Sequence, residues 1–420
     1  MIKKTCQDSF ISRNKTKDWF YSPSFGGSSN CWWACTPRMH PNDFRLRSLY
    51  GVGLDWPINY DELESYYSQA EEIMQISGDP ASEEILPRSK PFPQPPHKLT
   101  DPDILLRKTY GNFFFAQPTA RPTTATAKRP RCCASGVCGH CPINSKFTIL
   151  NEMIDLYRDP RVTLLTEAEA ISIETAASKA IGLTYFRAGR QEIAKGDLIA
   201  LGANAIFNPI LLERSGIAHP LLGKRLHEQR SVTYTLDLGG IDNFQGSTSI
   251  TGHGYMLYDG SHRKEMAGCL IETMNIPNIR TENGKWRQRL EIKFIFEDLP
   301  SEKNHVAIDG VLNLPKAHFE EYSDYSTRAL REVDNNLGKL LKTLPIERVV
   351  KRVENKTENH ILGTTLMGND PISSIVDKNL THHVIRNLLL LGGSVFPTGS
   401  PANPTLTICA LSLRAADVVR

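Results

Sequence analysis

Apolar residues along the chain alternate between a helical and a strand period, a pattern that predicts a mixed α/β protein. In DELESYYSQAEEIMQISG (61–78), Leu63, Tyr66, Tyr67, Ala70, Ile73 and Met74 recur at three and four residues, so the segment reads as a helix closed by Gly78. FTILNEMIDLYRD (147–159) predicts a second helix, and RVTLLTEAEAISIET (161–175) two short β-rich runs. Next comes a strand from Leu198 to Leu201, a turn at Gly202 and a helix ending near Gly216. That order aims backbone N–H groups at a helix N-terminus toward an anion. Between 229 and 310 the runs SVTYTLDL, RLEIKFIFEDLP and NHVAID alternate with turns, as in an antiparallel sheet. A long amphipathic helix is expected over 320–345, and strand, loop and helix over 387–420. Residues 1–20 are polar and without period, and 79–100 carries six prolines, so both predict irregular chain.

This order places nucleotide-fold pieces on both sides of an antiparallel sheet. It predicts a discontinuous Rossmann-like domain (1–50, 140–228 and 356–420) interleaved with an antiparallel-sheet domain and its connections (51–139 and 229–355). The 420 residues suffice for two or three domains. With 49 Lys and Arg against 46 Asp and Glu, the net charge of +3 gives no footprint for nucleic acid. No apolar run approaches the roughly 18 residues of a membrane span. The N-terminus MIKKTCQDSF has no apolar core of a secretory signal, so the expected compartment is cytoplasmic.

Nine cysteines are too few for a disulfide scaffold in a chain of this length. Four of them cluster in CCASGVCGHCP (132–142), where Cys132, Cys138 and Cys141 make a C-x5-C-x2-C run whose thiolates can converge on iron or zinc. The competing interpretation is a loop of reduced, partly buried thiols. Glu297 in FEDLP, with Asn304 after it, has no paired carboxylate in view and reads as structural.

Several separate stretches resemble the glucose–methanol–choline family of flavin oxidoreductases. They are GGSSNCWWACTPR with DWPINYDELESYYSQAEEIMQISG near the start, LIALGANAIFNPILLERSG in the middle, and ENHILGTTLMGNDPISSIVD with NLLLLGGSVFPTGSPANPTLTICALSLRAAD at the end. The resemblance implies an FAD-dependent oxidoreductase acting on the CH–OH group of an alcohol or sugar-like donor. It places His360 as the base that takes the hydroxyl proton while hydride goes to flavin N5, and Asn403 as a donor to the substrate oxygen. An imidazole with its ordinary pKa near 6.5 would make flavin reduction rise with pH through that value. Asn403 before Pro404 also suits a helix cap.

By the same resemblance Gly26, Gly27, Ser28 and Asn30 form a turn beside the flavin. Ala170, Gly202 and Ala203 face the adenosine side, and Gly393 and Ser394 approach the flavin tail. Gly392 stands where many members have Asp. Some members carry an iron–sulfur cluster on a cysteine run with one more residue in the last gap. The family's opening G-x-G-x-x-G has no counterpart: Gly51-Val-Gly53 leads to Trp56 and Gly252-His-Gly254 to Leu257. A second expectation therefore stands beside the first, that of a truncated non-catalytic remnant, or a subunit needing a partner chain to complete the FAD site. The electron acceptor and the substrate carry no recognisable motif.

Overall fold

Four sheets organise the chain, and the computed structural model describes residues 9–12, 14–244, 246 and 248–419. Residues 1–8, most of the N-terminus read above as lacking a signal, lie outside them. In chain order the strands are β1 (Ile11–Ser12), β2 (Phe114–Ala116), β3 (Glu169–Ala176), β4 (Lys179–Arg187), β5 (Arg190–Lys195), β6 (Ile199–Leu201) and β7 (Arg230–Leu238). They continue as β8 (Ile250–Leu257), β9 (Cys269–Met274), β10 (Arg289–Phe296), β11 (His305–Ile308), β12 (Pro315–His318), β13 (Ile346–Asn355) and β14 (Leu388–Leu390). The helices are α1 (Leu46–Tyr50), α2 (Tyr60–Met74), α3 (Asp101–Tyr110), α4 (Ile149–Glu152), α5 (Asn204–Arg214), α6 (Asp324–Leu340) and α7 (Thr405–Val418).

The largest sheet is antiparallel, in the order β13-β7-β10-β9-β8-β2. Successive residues on a strand point to opposite faces. One face, with Val232, Leu236, Ile292 and Phe294, packs on Tyr325, Ala329, Leu330 and Val333 of α6. The other face carries polar side chains that are nonetheless buried, among them Ser231, Glu272 and His253. In register, Lys293 on β10 stands opposite both Thr233 on β7 and Glu272 on β9, and Glu272 stands opposite His253 on β8. A polar row therefore crosses four strands of the sheet.

A second core joins α2 and α7 to the parallel pair β14–β6. Leu63, Tyr67 and Ala70 of α2 meet Leu406, Ala410 and Leu411 of α7 over Leu201, Leu388 and Leu390. The Tyr67 hydroxyl and Thr407 Oγ1 share a hydrogen bond of 2.8 Å at their contact. Thus α2, which falls in the 51–139 segment, shares its core with the C-terminal helix. The fold is mixed α/β, with a helix-flanked parallel pair and an antiparallel substrate-type sheet.

Boundaries differ from the sequence pattern where tertiary contacts intervene. Helix α2 stops at Met74, with Gln75 in the left-handed region, and not at Gly78. Gly78 answers a packing need instead, since a Cβ there would lie 2.4 Å from the Phe92 ring. The expected helix over 147–159 is two short pieces, α4 and a 3-10 turn at Ile154–Arg158. Lys128 Nζ donates to the Glu152 carbonyl at 2.7 Å, which satisfies the end of α4 from outside. Of the two β-runs expected in 161–175, only the second is a strand, β3. Helix α3 follows the proline-rich stretch and has a complete capping box, with Thr100 and Asp103 bonded reciprocally. Among the described residues no helix is long and apolar enough to cross a membrane.

Burial pushes His40, His97, His227 and His382 each down from 6.5 to about 4. These groups fold neutral and bind a proton more readily when unfolded. The stability they contribute is complete above about pH 6.5 and is lost as pH falls through about 4. At 1.36 kcal/mol per unit, each costs roughly 3 kcal/mol by the low-pH limit. Thermal unfolding followed from pH 8 to 4.5 should show a level melting temperature above pH 6.5 and a steep fall below it. A melting temperature unchanged between pH 7 and 5 would contradict this.

Candidate functional site

His360 and Asn403, 43 residues apart in sequence, line one cavity of about 330 Å³, together with Ser28 of the Gly/Ser turn. That volume lies at the small end of the range of about 300–1,000 Å³ for small-molecule sites. Trp32, Trp33 and Ile250 supply its apolar wall, and Glu272, Lys293 and Glu358 its charged one. His360 sits in the segment after β13, and Asn403 in the loop that enters α7. The N-cap of α7 is Pro404, without a side-chain capping bond. Asn403 therefore does not cap the helix. Its Oδ1 is buried with no hydrogen-bond partner.

A chain of hydrogen bonds sets the imidazole tautomer. Gln229 Nε2 donates to the carbonyls of Ser400 and Ala402 at 2.9 and 3.1 Å. Its Oε1 must then accept, and it stands 3.0 Å from His360 Nδ1. The proton consequently sits on Nδ1, which leaves the Nε2 lone pair available as a base. Gln229 also ties the His360 segment to the residue before Asn403, so the two side chains are positioned by one amide.

Glu228 holds the same segment by its backbone. Its Oε1 accepts from Glu358 N at 2.9 Å, and its Oε2 from His360 N at 3.1 Å and Thr357 Oγ1 at 3.2 Å. The carboxylate is fully buried and paired with Lys17, also fully buried. Burial pushes Glu228 up and Lys17 down, each against the pull of the other. Burial also pulls His360 down to about 4, against the raising effects of Glu358 and Glu272. The imidazole is thus neutral at pH 7 with a wide margin, which moves its titration out of the range near 6.5 expected from the sequence.

On the cofactor side, Gly26 and Gly27 have φ of 89° and 57°, the left-handed region that favours glycine. A Cβ on Gly26 would approach Asn30 Oδ1 to 2.8 Å. Asn30 Nδ2 donates to the Phe25 carbonyl at 2.9 Å, while its Oδ1 is buried without a partner. The orphaned oxygens of Asn30 and Asn403, one in the turn that bears Ser28 and one on the cavity wall, suit a ring edge with hydrogen-bond donors. Gly202, Ala203, Gly393 and Ser394 gather elsewhere, around Asn208. That amide accepts from Ala203 N at 2.9 Å and donates to Ser394 Oγ at 2.8 Å and to the Leu391 carbonyl at 3.1 Å. Two turns from distant stretches, at the C-terminal ends of β6 and β14, are stitched side by side. Ala170 lies on β3, which is joined to the end of α5 by the bond from Ile173 N to Ser215 Oγ at 2.7 Å. The orphaned oxygens fit a flavin ring edge at the cavity, and the two stitched turns are those the resemblance assigns to the adenosine side (202–203) and the flavin tail (393–394).

The cysteine run does not converge on one ion. Cys138 Sγ accepts from Ser249 N at 3.2 Å, and Cys141 is drawn down, against burial, by backbone N–H groups of Lys146, Ile143 and Ser145. Among the described residues, the group with three potential ligand atoms within 4.8 Å of one another is instead Cys35, His253 and Glu272. An iron–sulfur cluster at Cys132, Cys138 and Cys141 finds no support in this geometry. Glu297 is structural, as expected: Arg263 Nε donates to it at 3.1 Å and Gly268 N at 3.1 Å. Asn304 is also structural, donating to the Glu321 carbonyl at 3.2 Å and accepting from Glu320 N at 2.8 Å.

The sequence pattern did not single out Gln229, Glu228, Glu272 or Lys293. The last two stand at alternate positions of otherwise apolar strands, a signal ordinarily read as a solvent face.

Comparison with known proteins places the chain in a family. Residues 118–231 and 313–412, together just over half of the chain, match the N- and C-terminal family models described as GMC oxidoreductase. The fructose dehydrogenase large subunit of Gluconobacter japonicus is 29% identical over 440 residues, covering 94% of this chain and 80% of the relative. The 2-methyl-1,2-propanediol dehydrogenase of Mycolicibacterium austroafricanum is 25% identical with the same coverage. The solved structure of pyridoxine 4-oxidase from Mesorbium loti superposes with a TM-score of 0.65 at 16% identity, covering 95% of this chain and 84% of that one.

Proposed function

Because the chain belongs to the GMC oxidoreductase family of FAD-binding flavoproteins, which act on CH–OH donors, we propose that it oxidises a CH–OH group held in the cavity that His360 and Asn403 line, with His360 as base and Asn403 as hydrogen-bond donor. The single observation that carries this is the Gln229 relay, which leaves Nε2 unprotonated on a histidine that lines one cavity with Asn403. FAD, when bound, supplies the acceptor for the hydride. His360 takes the hydroxyl proton on Nε2. Asn403 hydrogen-bonds the oxygen as charge develops on it, and the apolar wall of Trp32, Trp33 and Ile250 limits water. Residues 26–30 would hold the ring, residues 393–394 the flavin tail, and Ala170 with residues 202–203 the adenosine end. The described cysteines form no disulfide, which suits a cytoplasmic setting. Anaerobic mixing of the yellow holoprotein with a panel of alcohols and polyols tests this; a holoprotein that none of them bleaches defeats it.

Gln229→Leu should lower the rate of flavin reduction by about tenfold to a hundredfold, because the wrong tautomer becomes accessible. Flavin content and melting temperature should stay near the parent's. A loss confined to those two would reduce Gln229 to a structural role.

A second reading treats the chain as one subunit of an assembly that completes the FAD site. The relative named as a large subunit favours it. Its test is flavin retention: a colourless protein that turns yellow only when co-expressed with a second chain would support this reading over the first.

A further inference from the structure

Resting on the reading above, we propose that Glu272 and Lys293, backed by His253 in the same row, recognise further hydroxyl groups of the substrate, which is therefore polyhydroxylated and sugar-like and not a monohydric alcohol. The row is built by strand register, with Glu272 on β9 between His253 on β8 and Lys293 on β10. Glu272 and Lys293 line the cavity that holds His360 and Asn403.

Glu272 is short of donors. Its side chain is only 2% exposed, yet its contacts are His253 Nε2 at 3.4 Å and the Cys35 thiol at 3.9 Å. A carboxylate accepts about four hydrogen bonds when satisfied. Both ring nitrogens of His253 are buried without a hydrogen-bond partner. Burial pulls Glu272 up, but His253, Lys293 and His360 outweigh that and hold it below its ordinary value, so it stays anionic. Lys293 bonds Glu358 at 2.9 Å and has two further N–H donors.

An aliphatic alcohol in this cavity would set C–H groups against a buried carboxylate and an ammonium, which costs free energy that nothing returns. Vicinal hydroxyls reverse the balance. One donates to Glu272 and its neighbour accepts from Lys293, while the reacting carbon stays at His360. A site built to hydrogen-bond a hydroxyl rejects an analogue that lacks it far more strongly than an apolar pocket rejects an extra methylene.

The test uses the holoprotein with propan-2-ol, propane-1,2-diol, glycerol and sorbitol, each followed by anaerobic flavin reduction. In the parent, kcat/KM should rise along that series. Glu272→Gln and Lys293→Met should each lower kcat/KM for sorbitol by about 10–100-fold more than for propan-2-ol, chiefly through KM. Calorimetric titration of sorbitol into His360→Asn holoprotein gives a readout without turnover; adding Glu272→Gln should abolish the binding heat. An unchanged sorbitol to propan-2-ol ratio in both variants overturns the proposal. So does one equivalent of zinc retained through chelator dialysis, since Cys35, His253 and Glu272 would then be ligands. Failure of the parent to oxidise any alcohol counts against the catalytic reading instead, and the titration still decides this one.

Discussion

Replacing His360 by alanine is expected to slow substrate-driven flavin reduction by about 10²–10⁴-fold while leaving the flavin bound, the usual span for removal of a positioned general base. The loss follows from geometry. His360 presents an unprotonated Nε2 to the cavity because Gln229 spends both its Nε2 hydrogens on the carbonyls of Ser400 and Ala402. Among the described side chains that line that cavity, His360 is the uncharged base: Glu358 is engaged by Lys293, and Glu272 is a carboxylate held by the sheet on β9. A holoprotein carrying His360→Ala that reduces its flavin at the parent's rate would remove His360 from the mechanism.

The pH profile tests the same imidazole independently. Protonated imidazole cannot accept the hydroxyl proton, so the rate is lost below the pKa and full above it. With burial holding that pKa at about 4, the rate should be level from pH 5 to 8 and decline only toward pH 4. An unburied imidazole would give a rate rising tenfold per unit up to 6.5. The two profiles differ most near pH 5, where the fold is only partly into its acid-sensitive range. A rise between pH 5 and 6.5, at constant folded fraction, would show that water reaches His360 and that the cavity is more open than described.

Much of the framework was legible because it depends on local pattern. The strand, turn and helix from Ile199 to Arg214 and the C-terminal helix follow from period and glycine placement. The pairing of His360 with Asn403 came from motif resemblance, and the structure brings both to one cavity with Ser28. Nothing local betrays Gln229 or Glu228. Each is a single polar residue ahead of a strand, and its role depends on carbonyls or N–H groups more than a hundred residues away. Glu272 and Lys293 were hidden by an ambiguity of period two: IET and IKF alternate identically whether the polar face meets solvent or a cavity. Helix α3 was hidden by the prolines before it, although Thr100-Asp101-Pro102-Asp103 is a legible start signal with proline in the first turn.

Arg263→Leu should cost the fold about 3–5 kcal/mol, the range for stripping one partner from a buried ion network. Arg263 is fully buried and serves three carboxylates. Its Nη2 reaches Asp43 at 2.8 Å, its Nε reaches Glu297 at 3.1 Å, and its Nη1 reaches Asp259 at 3.1 Å. Asp43 and Glu297 are themselves buried, so without the guanidinium two carboxylates would remain in an apolar setting. Burial already pushes Asp43 up to about 7 against the pull of Arg263, and without the guanidinium it would rise further. Groups with raised folded values lose stability as pH rises, so the penalty of the variant should be greatest near pH 8 and shrink on acidification. His97, His227 and His382 act equally in parent and variant and cancel in the difference, whereas His40, which Arg263 helps to hold down, would rise in the variant and narrow the gap in the same sense. Denaturant unfolding of both proteins at pH 8, 7 and 6 therefore gives a gap that narrows with falling pH. A gap below 1 kcal/mol, or one that widens toward pH 6, would mean that Arg263 does not hold down the Asp43 carboxyl. The network ties the turn at Asp43 to the end of β10 and, through the Tyr325 hydroxyl bonded to the Arg263 carbonyl at 2.9 Å, to α6. Its loss should accordingly loosen the sheet that carries Glu272 and Lys293 before it touches the segment that carries His360, which Glu228 and Lys17 hold separately.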